Sequence, residues 1–272
     1  MANIIPMAGL GSRFSSAGFI LPKPLIPVSG SPMIIKAIEH LPESDKWIFI
    51  VREEHIADYS IDRLIRKKIP GAIIIPVKAT TEGQASSCML ALPYLDKNEP
   101  VFVASCDNSF VYDRKKFSTL AADLDIDSIV WTFTNNELLR KNPHAWGWVL
   151  LEKDNTTVRD VSVKIPVSGN SFLDHAIVAA FYFKKSSQMK AAYDLMIRED
   201  YRINNEFYLD AMPIFYKKLK LRSVIFDVDL YVGWGKPEDL YYYQYMEFLC
   251  NFGPDGQDKK QDFGLWKKFF DK

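Results

Sequence analysis

Short apolar runs alternate with amphipathic stretches through the first part of the chain: Asn3 to Pro6, Pro32 to Leu41, Trp47 to Val51, Asp58 to Lys68 and Ala72 to Val77. Strands separated by connections of helix length do not pair as hairpins, so the alternation predicts βαβ units building a mostly parallel sheet. A helix is expected from Gly83 to Leu92. Val101 to Ser105 is a continuous apolar run of the kind found in strands buried on both faces. After about residue 125 the pattern changes. Strand-like segments Ser128 to Thr134, Trp148 to Lys153, Thr157 to Val163 and Ala176 to Lys184 follow one another closely and predict a mixed, partly antiparallel region. Helices are expected at Ser187 to Arg198 and Glu206 to Lys218, then a strand at Leu221 to Asp229 and a helix opened by Pro237-Glu238-Asp239.

With 272 residues and 48% hydrophobic content, the chain can bury a full core. The balance of 34 Lys and Arg against 34 Asp and Glu leaves no net field to hold a nucleic-acid backbone or an anionic membrane, which favours a small-molecule partner. Cys88, Cys106 and Cys250 are too scattered for a disulfide framework or a zinc site and read as reduced and mostly buried. The N-terminus lacks the basic start and apolar run of a secretory signal, and stretches such as Ala176 to Phe183 are too short to span a bilayer; a soluble cytoplasmic protein is expected. No linker or repeat divides the sequence. The expected organisation is one domain over residues 1–250 with a tail over 251–272, in which Gly253 to Lys260 is compositionally biased. Leu265, Trp266, Phe269 and Phe270 stand at helical spacing and read as a docking helix of the same domain.

Directly after the first strand comes Ala8-Gly9-Leu10-Gly11-Ser12-Arg13, followed by Lys23-Pro24. A glycine turn leaving a strand lets backbone N–H groups cradle a polyphosphate, because no Cβ blocks the approach. Arg13 can grip two oxygens at once, whereas Lys23 acts as a movable point charge on the transferred phosphoryl group. Two commoner glycine loops do not fit. A P-loop requires Gly-Lys-Ser/Thr where no lysine follows Gly11, and the dinucleotide fingerprint requires a small residue where Phe14 stands. An ordinary strand-to-helix turn remains the alternative, and Arg13 with Lys23-Pro24 at this spacing weighs against it.

On these residues the chain resembles the nucleotidyltransferase (NTP-transferase) superfamily: Pro6-Met-Ala-Gly-Leu-Gly-Ser-Arg-Phe, then Pro22-Lys-Pro-Leu-Ile-Pro-Val, then Ser31-Pro-Met-Ile. Thr81-Glu-Gly-Gln-Ala, Ser105-Cys-Asp-Asn, Val163-Lys164, Asn205-Glu-Phe-Tyr and Gly235-Lys-Pro-Glu-Asp-Leu follow in the order the superfamily has them. The likeness runs to about residue 249 and is nearest to bacterial capsule and surface-polysaccharide nucleotidyltransferases, a group that includes cytidylyltransferases acting on non-sugar phosphates. It implies an α/β, Rossmann-like, glycosyltransferase-A-type three-layer sandwich with a mixed, mostly parallel central sheet and a smaller antiparallel region. The implied activity is transfer of NMP from an NTP, CTP favoured, to a sugar-1-phosphate or non-sugar phosphate with release of pyrophosphate. Expected partners are those two substrates, with neither nucleic acid nor membrane insertion, and a homodimer is compatible with the reading.

The resemblance also assigns roles. Arg13, Lys23, Asp107 and Lys164 become the catalytic set. Ala8 to Arg13, Lys23, Glu82, Gly83, Gln84 and Cys106 become the nucleotide site, with Thr81 to Gln84 set against the base. Asn108, Lys164 and Glu206 become acceptor contacts, Lys164 holding the acceptor's phosphate. Mg²⁺ is the implied cofactor, held by Asp107, and one or two carboxylates are enough for that ion. For the second carboxylate the chain departs from the pattern. Many relatives have Asp where this chain has Gly233, and Asp227 and Asp229 lie a few residues upstream, on one face of the expected strand at their i, i+2 spacing. Asp229 is preferred, and neither being a ligand is the alternative.

Sugar-specific relatives carry Glu before the lysine where this chain has Val163, which favours a non-sugar acceptor. His144, Trp146 and Trp148 form a polar-aromatic group that either lines the acceptor site or is buried and satisfied. Helix capping is the bland reading of Thr81-Glu82, of Asp107 and of Asn205. Two rival classes stand beside the enzyme reading. Asp227-Val228-Asp229 is the DxD triplet of glycosyltransferases, although such enzymes lack the glycine loop. Gly233 and Val163 standing where acids are expected would suit a non-catalytic nucleotide-binding module.

Overall fold

The computed structural model describes residues 1–253 and 263–271; most of the biased segment Gly253 to Lys260 lies outside the described residues. The strands are β1 (Ala2–Pro6), β2 (Pro27–Val28), β3 (Ser31–Pro32), β4 (Lys46–Arg52), β5 (Ile73–Val77), β6 (Val101–Ala104), β7 (Asn108–Val111), β8 (Ser128–Phe133), β9 (Gly147–Leu151), β10 (Val158–Val163), β11 (His175–Phe183), β12 (Ser223–Asp227) and β13 (Leu230–Gly233). The chain forms two compact units, each assembled from separated stretches of sequence.

The first unit comprises Met1–Gly9, Pro42–Ser105 and Arg114–Asp227. Its sheet has nine strands in the order β10-β9-β11-β6-β1-β4-β5, with β8 paired to β11 and β12 to β8. The ladders β6-β1-β4-β5 and β8-β12 are parallel, as expected for strands joined by helical crossovers. Only β10 and β11 run against the other seven strands, so the sheet is mixed but mostly of one direction. A register shift in β11 between Ile177 and Phe181, with Ala179 at φ 56°, bends that strand so that one end meets β9 and the other β6.

Period-two alternation gives this sheet two apolar faces. On one, Val101, Val103, Phe181 and Phe183 pack with Ala85, Cys88, Met189, Met212 and Phe215 from helices Gln84–Met89, Ser186–Arg198 and Met212–Lys218. On the other, Phe102, Trp131, Tyr182 and Phe226 surround Phe117 of helix Arg114–Ala122, with ring centroids 5.0–6.0 Å from it. Helix, sheet and helix make the three layers of an α/β sandwich.

The second unit comprises Leu10–Leu41, Cys106–Asp113 and Val228–Lys272. It holds two small antiparallel sheets, β7-β13 and β2-β3. Phe14, Met33, Trp234, Tyr243, Trp266 and Phe269 are among its buried residues. In the tail, helix Phe263–Phe270 packs on helix Pro237–Phe252: Trp266 and Phe269 are buried, and Phe269 stacks on His40 with centroids 4.5 Å apart.

Two expected elements are corrected. The strand expected over Leu221 to Asp229 ends at Asp227, and a separate strand resumes at Leu230 in the other sheet, so Asp227 and Asp229 do not share a strand face. The helix expected from Glu206 starts later, with a 3-10 turn at Leu209–Ala211 and the helix proper at Met212. Its first residues are committed to a tight reversal in which Ile203 and Glu206 exchange backbone hydrogen bonds while Asn204 and Asn205 take left-handed φ values of 50° and 63°.

Candidate active site

The glycine loop and the first basic residues belong mostly to the second unit. Gly11 has φ +65°, and a Cβ on it would come 3.1 Å from Cβ of Lys23, so glycine both permits the turn and lets the loop lie against that lysine. The Gly11 carbonyl accepts from the N–H of Phe14, opening the short helix Ser12–Ser16. Ser12 and Arg13 are exposed on that helix, and Gly9 and Leu10 are exposed before it, whereas Ala8 is buried in the core of the first unit with Ile4. Ala8 therefore packs the floor of the sheet.

Lys23 Nζ donates to Asp107 Oδ2, joining residues 84 positions apart. Burial works against the Lys23 ammonium, but Asp107 outweighs it with help from Cys106, and the lysine pKa lies above its ordinary value. Burial foremost, with Asp107 beside it, pushes the Cys106 thiol up to about 12, so Cys106 is a neutral lining residue and no nucleophile.

Asp107 is fixed through its backbone, its carbonyl accepting from the N–H of buried Trp234 at 2.7 Å. Asn108, buried at the start of β7, pairs in register with Gly233 of β13. The missing acid at position 233 has a physical reason: a Cβ there would stand 2.8 Å from the ring of Tyr231, whose phenol lies over the glycine. Desolvation, with Asp107 and Asp239 nearby, pushes that phenol's pKa well up.

Asp239 lies in the Gly235-Lys-Pro-Glu-Asp-Leu motif, but its carboxylate was not singled out from sequence, because Pro237-Glu238-Asp239 also opens a helix. Its carboxylate and that of Asp107 converge on Gly235, where a Cβ would be 3.2 Å from Asp107 Oδ2 and 3.9 Å from Asp239 Oδ2. Burial foremost, with Glu238 and Asp107 adding repulsion, raises the Asp239 pKa. Two hard oxygen donors at one place fit an Mg²⁺ ion whose other ligands are phosphate and water. Asp229 is exposed between β12 and β13, its N–H donating to Val111 O at 2.8 Å. Asp227, in the first unit, accepts from Thr132 Oγ1 at 2.6 Å and lies 2.9 Å from His175 Nδ1. Burial opposes its charge, but His175 and Thr132 outweigh that and hold its carboxyl below the ordinary range.

The remaining candidates lie in the first unit. Gly83 has φ +126°, and a Cβ there would stand 2.6 Å from both the backbone N and O of Phe207, so its near side is filled by backbone. Phe207 N–H donates to Glu82 O, and Ala85 N–H to Phe207 O. These bonds lace the Thr81 to Gln84 segment to the Glu206 strip. Glu82 is exposed and pairs with Arg202 at 2.9 Å; the same guanidinium holds Asp200 and lies 4.1 Å from the Phe207 ring centroid. Thr81 Oγ1 donates to Gly83 O, and Gln84 is half-buried at the first turn of its helix.

Lys164 is held in the left-handed region at φ 64° just past β10. Its N–H donates to Trp146 O at 2.8 Å, and its carbonyl lies 3.2 Å from His144 Nδ1. The aromatic group thus supports the lysine's backbone, with Trp148 buried and bonded through Nε1 to Pro143 O. The ammonium lies 5.3 Å from the Tyr208 ring centroid. Asp210, unanticipated from sequence, sits where a Cβ on Gly147 would be 2.5 Å from its Oδ2. Burial raises its pKa to about 6, with Lys164 opposing that rise. An open groove of about 690 Å³ is lined by Asp160, Ser162, Lys164, Tyr201, Arg202 and Asn204 among others.

The MobA-like NTP transferase domain matches residues 3–154. Mannose-1-phosphate guanyltransferases are similar at low identity: that of Debaryomyces hansenii is 24% identical over 88% of this chain, and that of Candida albicans 25% over 88%. The chain spans 62% of the length of these relatives. A nucleoside-diphosphate-sugar pyrophosphorylase from Vibrio cholerae RC9 shares the fold at TM-score 0.70 and 18% identity, covering 89% of this chain and 99% of that one. The inositol-1-phosphate CTP transferase of T. maritima does so at TM-score 0.67 and 17% identity, covering 93% and 97%. Among the described residues no helix is long and apolar enough to cross a membrane. With the domain match covering more than half its length and including the Gly11, Lys23 and Asp107 cluster, the chain belongs to the MobA-like NTP transferase family.

Proposed function

We propose that the protein transfers NMP from an NTP to a phosphorylated small molecule and releases pyrophosphate. The observation that carries this reading is the Lys23–Asp107 pair lying against Gly11, within the stretch that matches the NTP transferase domain. In the proposed reaction an acceptor phosphate oxygen attacks the α-phosphorus, the bond to the β-phosphate bridging oxygen breaks, and pyrophosphate leaves with that electron pair. Arg13 and Lys23 neutralise charge on the triphosphate, Lys23 being kept cationic by Asp107. Lys164 holds the acceptor's phosphate, its backbone fixed by Trp146 and His144. A phosphate dianion is already a nucleophile, so positioning and electrostatics supply most of the rate and no side-chain base is required.

Mg²⁺ is the proposed cofactor; it would neutralise phosphate charge, with Asp107 as its carboxylate and Asp239 or Asp229 as the second. CTP is the favoured nucleotide and a non-sugar phosphate the favoured acceptor, in surface-polysaccharide precursor synthesis in a cytoplasmic setting. Val163 in place of an acid supports the acceptor choice. The fold shared with an inositol-1-phosphate CTP transferase is compatible with both choices.

The test is pyrophosphate release from the four NTPs with Mg²⁺ against sugar-1-phosphates, phosphocholine-like compounds and other small phosphates. Release with at least one pair supports the reading. Nucleotide binding without release from any pair would mean a binding module, and nucleoside diphosphate released from an added nucleotide-sugar donor, with no pyrophosphate from NTP, would mean glycosyl transfer.

A further inference from the structure

A cavity of about 370 Å³ lies within the second unit, lined by Arg13, Ser16, Ala17, Lys236, Pro237 and Glu238. Small-ligand sites run from about 300 to 1,000 Å³, so a space at the low end suits a compact group better than a whole nucleotide. No aromatic ring lines it to stack a base, and four of its six residues are polar or charged. Arg13 and Glu238 are exposed and Lys236 is half-buried, which sets two cations against one acid on its walls. Among the described residues neither the Arg13 guanidinium nor the Lys236 ammonium makes a hydrogen bond or an ion pair, so both can turn to an anion.

Both cationic walls connect to the Lys23–Asp107 pair. On one side the Arg13 charge reaches Lys23, where it works against the raised lysine pKa. On the other the Lys236 charge reaches Asp239, where it opposes the effect of burial, and Asp239 converges with Asp107 on Gly235. Arg13 stands on the short helix Ser12–Ser16, and Lys236 directly precedes helix Pro237–Phe252 without capping it through its side chain. A cation at a helix N-terminus opposes the helix dipole, so Lys236 does nothing for the helix it precedes. An anion in the cavity would meet both that lysine and the positive end of the helix.

Resting on the transfer reaction above, we propose that this cavity seats the β- and γ-phosphates of the NTP and holds the departing pyrophosphate, with Lys236 as a further catalytic cation beside Arg13. The α-phosphate is then left at the Lys23–Asp107 corner. When the bond from the α-phosphorus to the bridging oxygen breaks, its electron pair stays on that oxygen, and the added negative charge falls on the group between Arg13 and Lys236. Both side chains remain protonated throughout. Cations fixed where charge develops lower the barrier without having to reorganise. Lys236 thereby has a task distinct from that of Lys23: it grips the leaving group, so inorganic pyrophosphate by itself is a ligand for this seat.

The experiment is calorimetric titration of the full chain with inorganic pyrophosphate, Mg²⁺ present throughout, with the melting temperature of every variant recorded and the pyrophosphate-release assay run alongside. The wild type is expected to bind pyrophosphate. Lys236→Met, which keeps the apolar stem and removes the charge, is expected to bind it about tenfold more weakly, the lower end for a hydrogen bond between charged groups. Glu238→Gln, which removes the one acid from the walls, is expected to tighten binding about twofold to threefold, the scale of an exposed charge. Should Lys236→Met unfold, Glu238→Gln decides, and an unchanged affinity there overturns the proposal. A wild type that binds no pyrophosphate, or a folded Lys236→Met protein that binds it as tightly as the wild type, overturns the seat even where NTP is turned over. Pyrophosphate held through Lys236, but released from no pair of NTP and acceptor, would instead sink the transfer reaction and leave the anion seat standing.

Discussion

Lys23 and Asp107 hold each other in an ion pair in which each side chain is 19% exposed, so neither charge is fully hydrated and each depends on the other. Removing one partner leaves the other partly buried and uncompensated. Lys23→Ala is therefore expected to lower NTP–pyrophosphate exchange by roughly 10²–10³, the usual loss for one donor aimed at developing charge. Exchange near the wild-type rate would remove Lys23 from the reaction.

The glycine at 83 is fixed by its neighbour. Any Cβ there stands 2.6 Å from the Phe207 backbone at φ +126°, and neither fault can relax without breaking the Glu82–Phe207 hydrogen bond. Gly83→Ala is expected to cost at least about 2 kcal/mol in urea unfolding. An unchanged midpoint would show that this strip yields freely.

How much of this was legible follows from what each residue answers to. The βαβ rhythm and the buried run Val101 to Ser105 were readable because apolar period reports burial directly. The Gly11, Lys23 and Asp107 cluster was readable because its parts sit in motifs with few other uses. Asp239 and Asp210 were not, since a carboxylate at a helix start looks the same whether it caps, solvates or faces another charge. The break between Asp227 and Asp229 was hidden for a different reason: Leu221 to Asp229 is one pattern in sequence, and only pairing with β8 on one side and β7 on the other divides it. Helix Arg114–Ala122 went unread because Phe117 is its only buried residue, too little to make a stripe.

That single phenylalanine is nonetheless central to its layer, with four rings around it and 5% exposure. Phe117→Ala is expected to destabilise by about 3–5 kcal/mol, measured by urea or thermal unfolding. A loss under 1 kcal/mol would mean that the aromatic shell collapses into the space.

Asp210 gives a pH dependence with a definite sign. Its folded-state pKa, about 6, lies above the ordinary 3.8, so the folded protein binds the proton more tightly than the unfolded chain does. The associated stability is present at low pH and is lost as pH rises from about 4 through about 6. Asp210→Asn is expected to melt with the wild type near the lower limit and progressively above it toward neutral pH. Parallel melting curves across that range would show that Asp210 titrates normally.

Restoring the acid found in many relatives should not work on its own. Gly233→Asp drives a Cβ into the Tyr231 ring and is expected to lower the melting temperature, whereas Tyr231→Ala combined with Gly233→Asp recovers part of the loss. If the single variant melts like the wild type, the tyrosine is not what keeps that position small.

The second unit is stitched from Leu10–Leu41, Cys106–Asp113 and Val228–Lys272, and its β7-β13 sheet joins the middle piece to the last. No single cut can liberate such a body, and no single graft can transplant it. Anyone wishing to exchange the Lys23–Asp107 corner between homologues must splice all three segments together, or the recipient will receive one half of a charge pair without its mate.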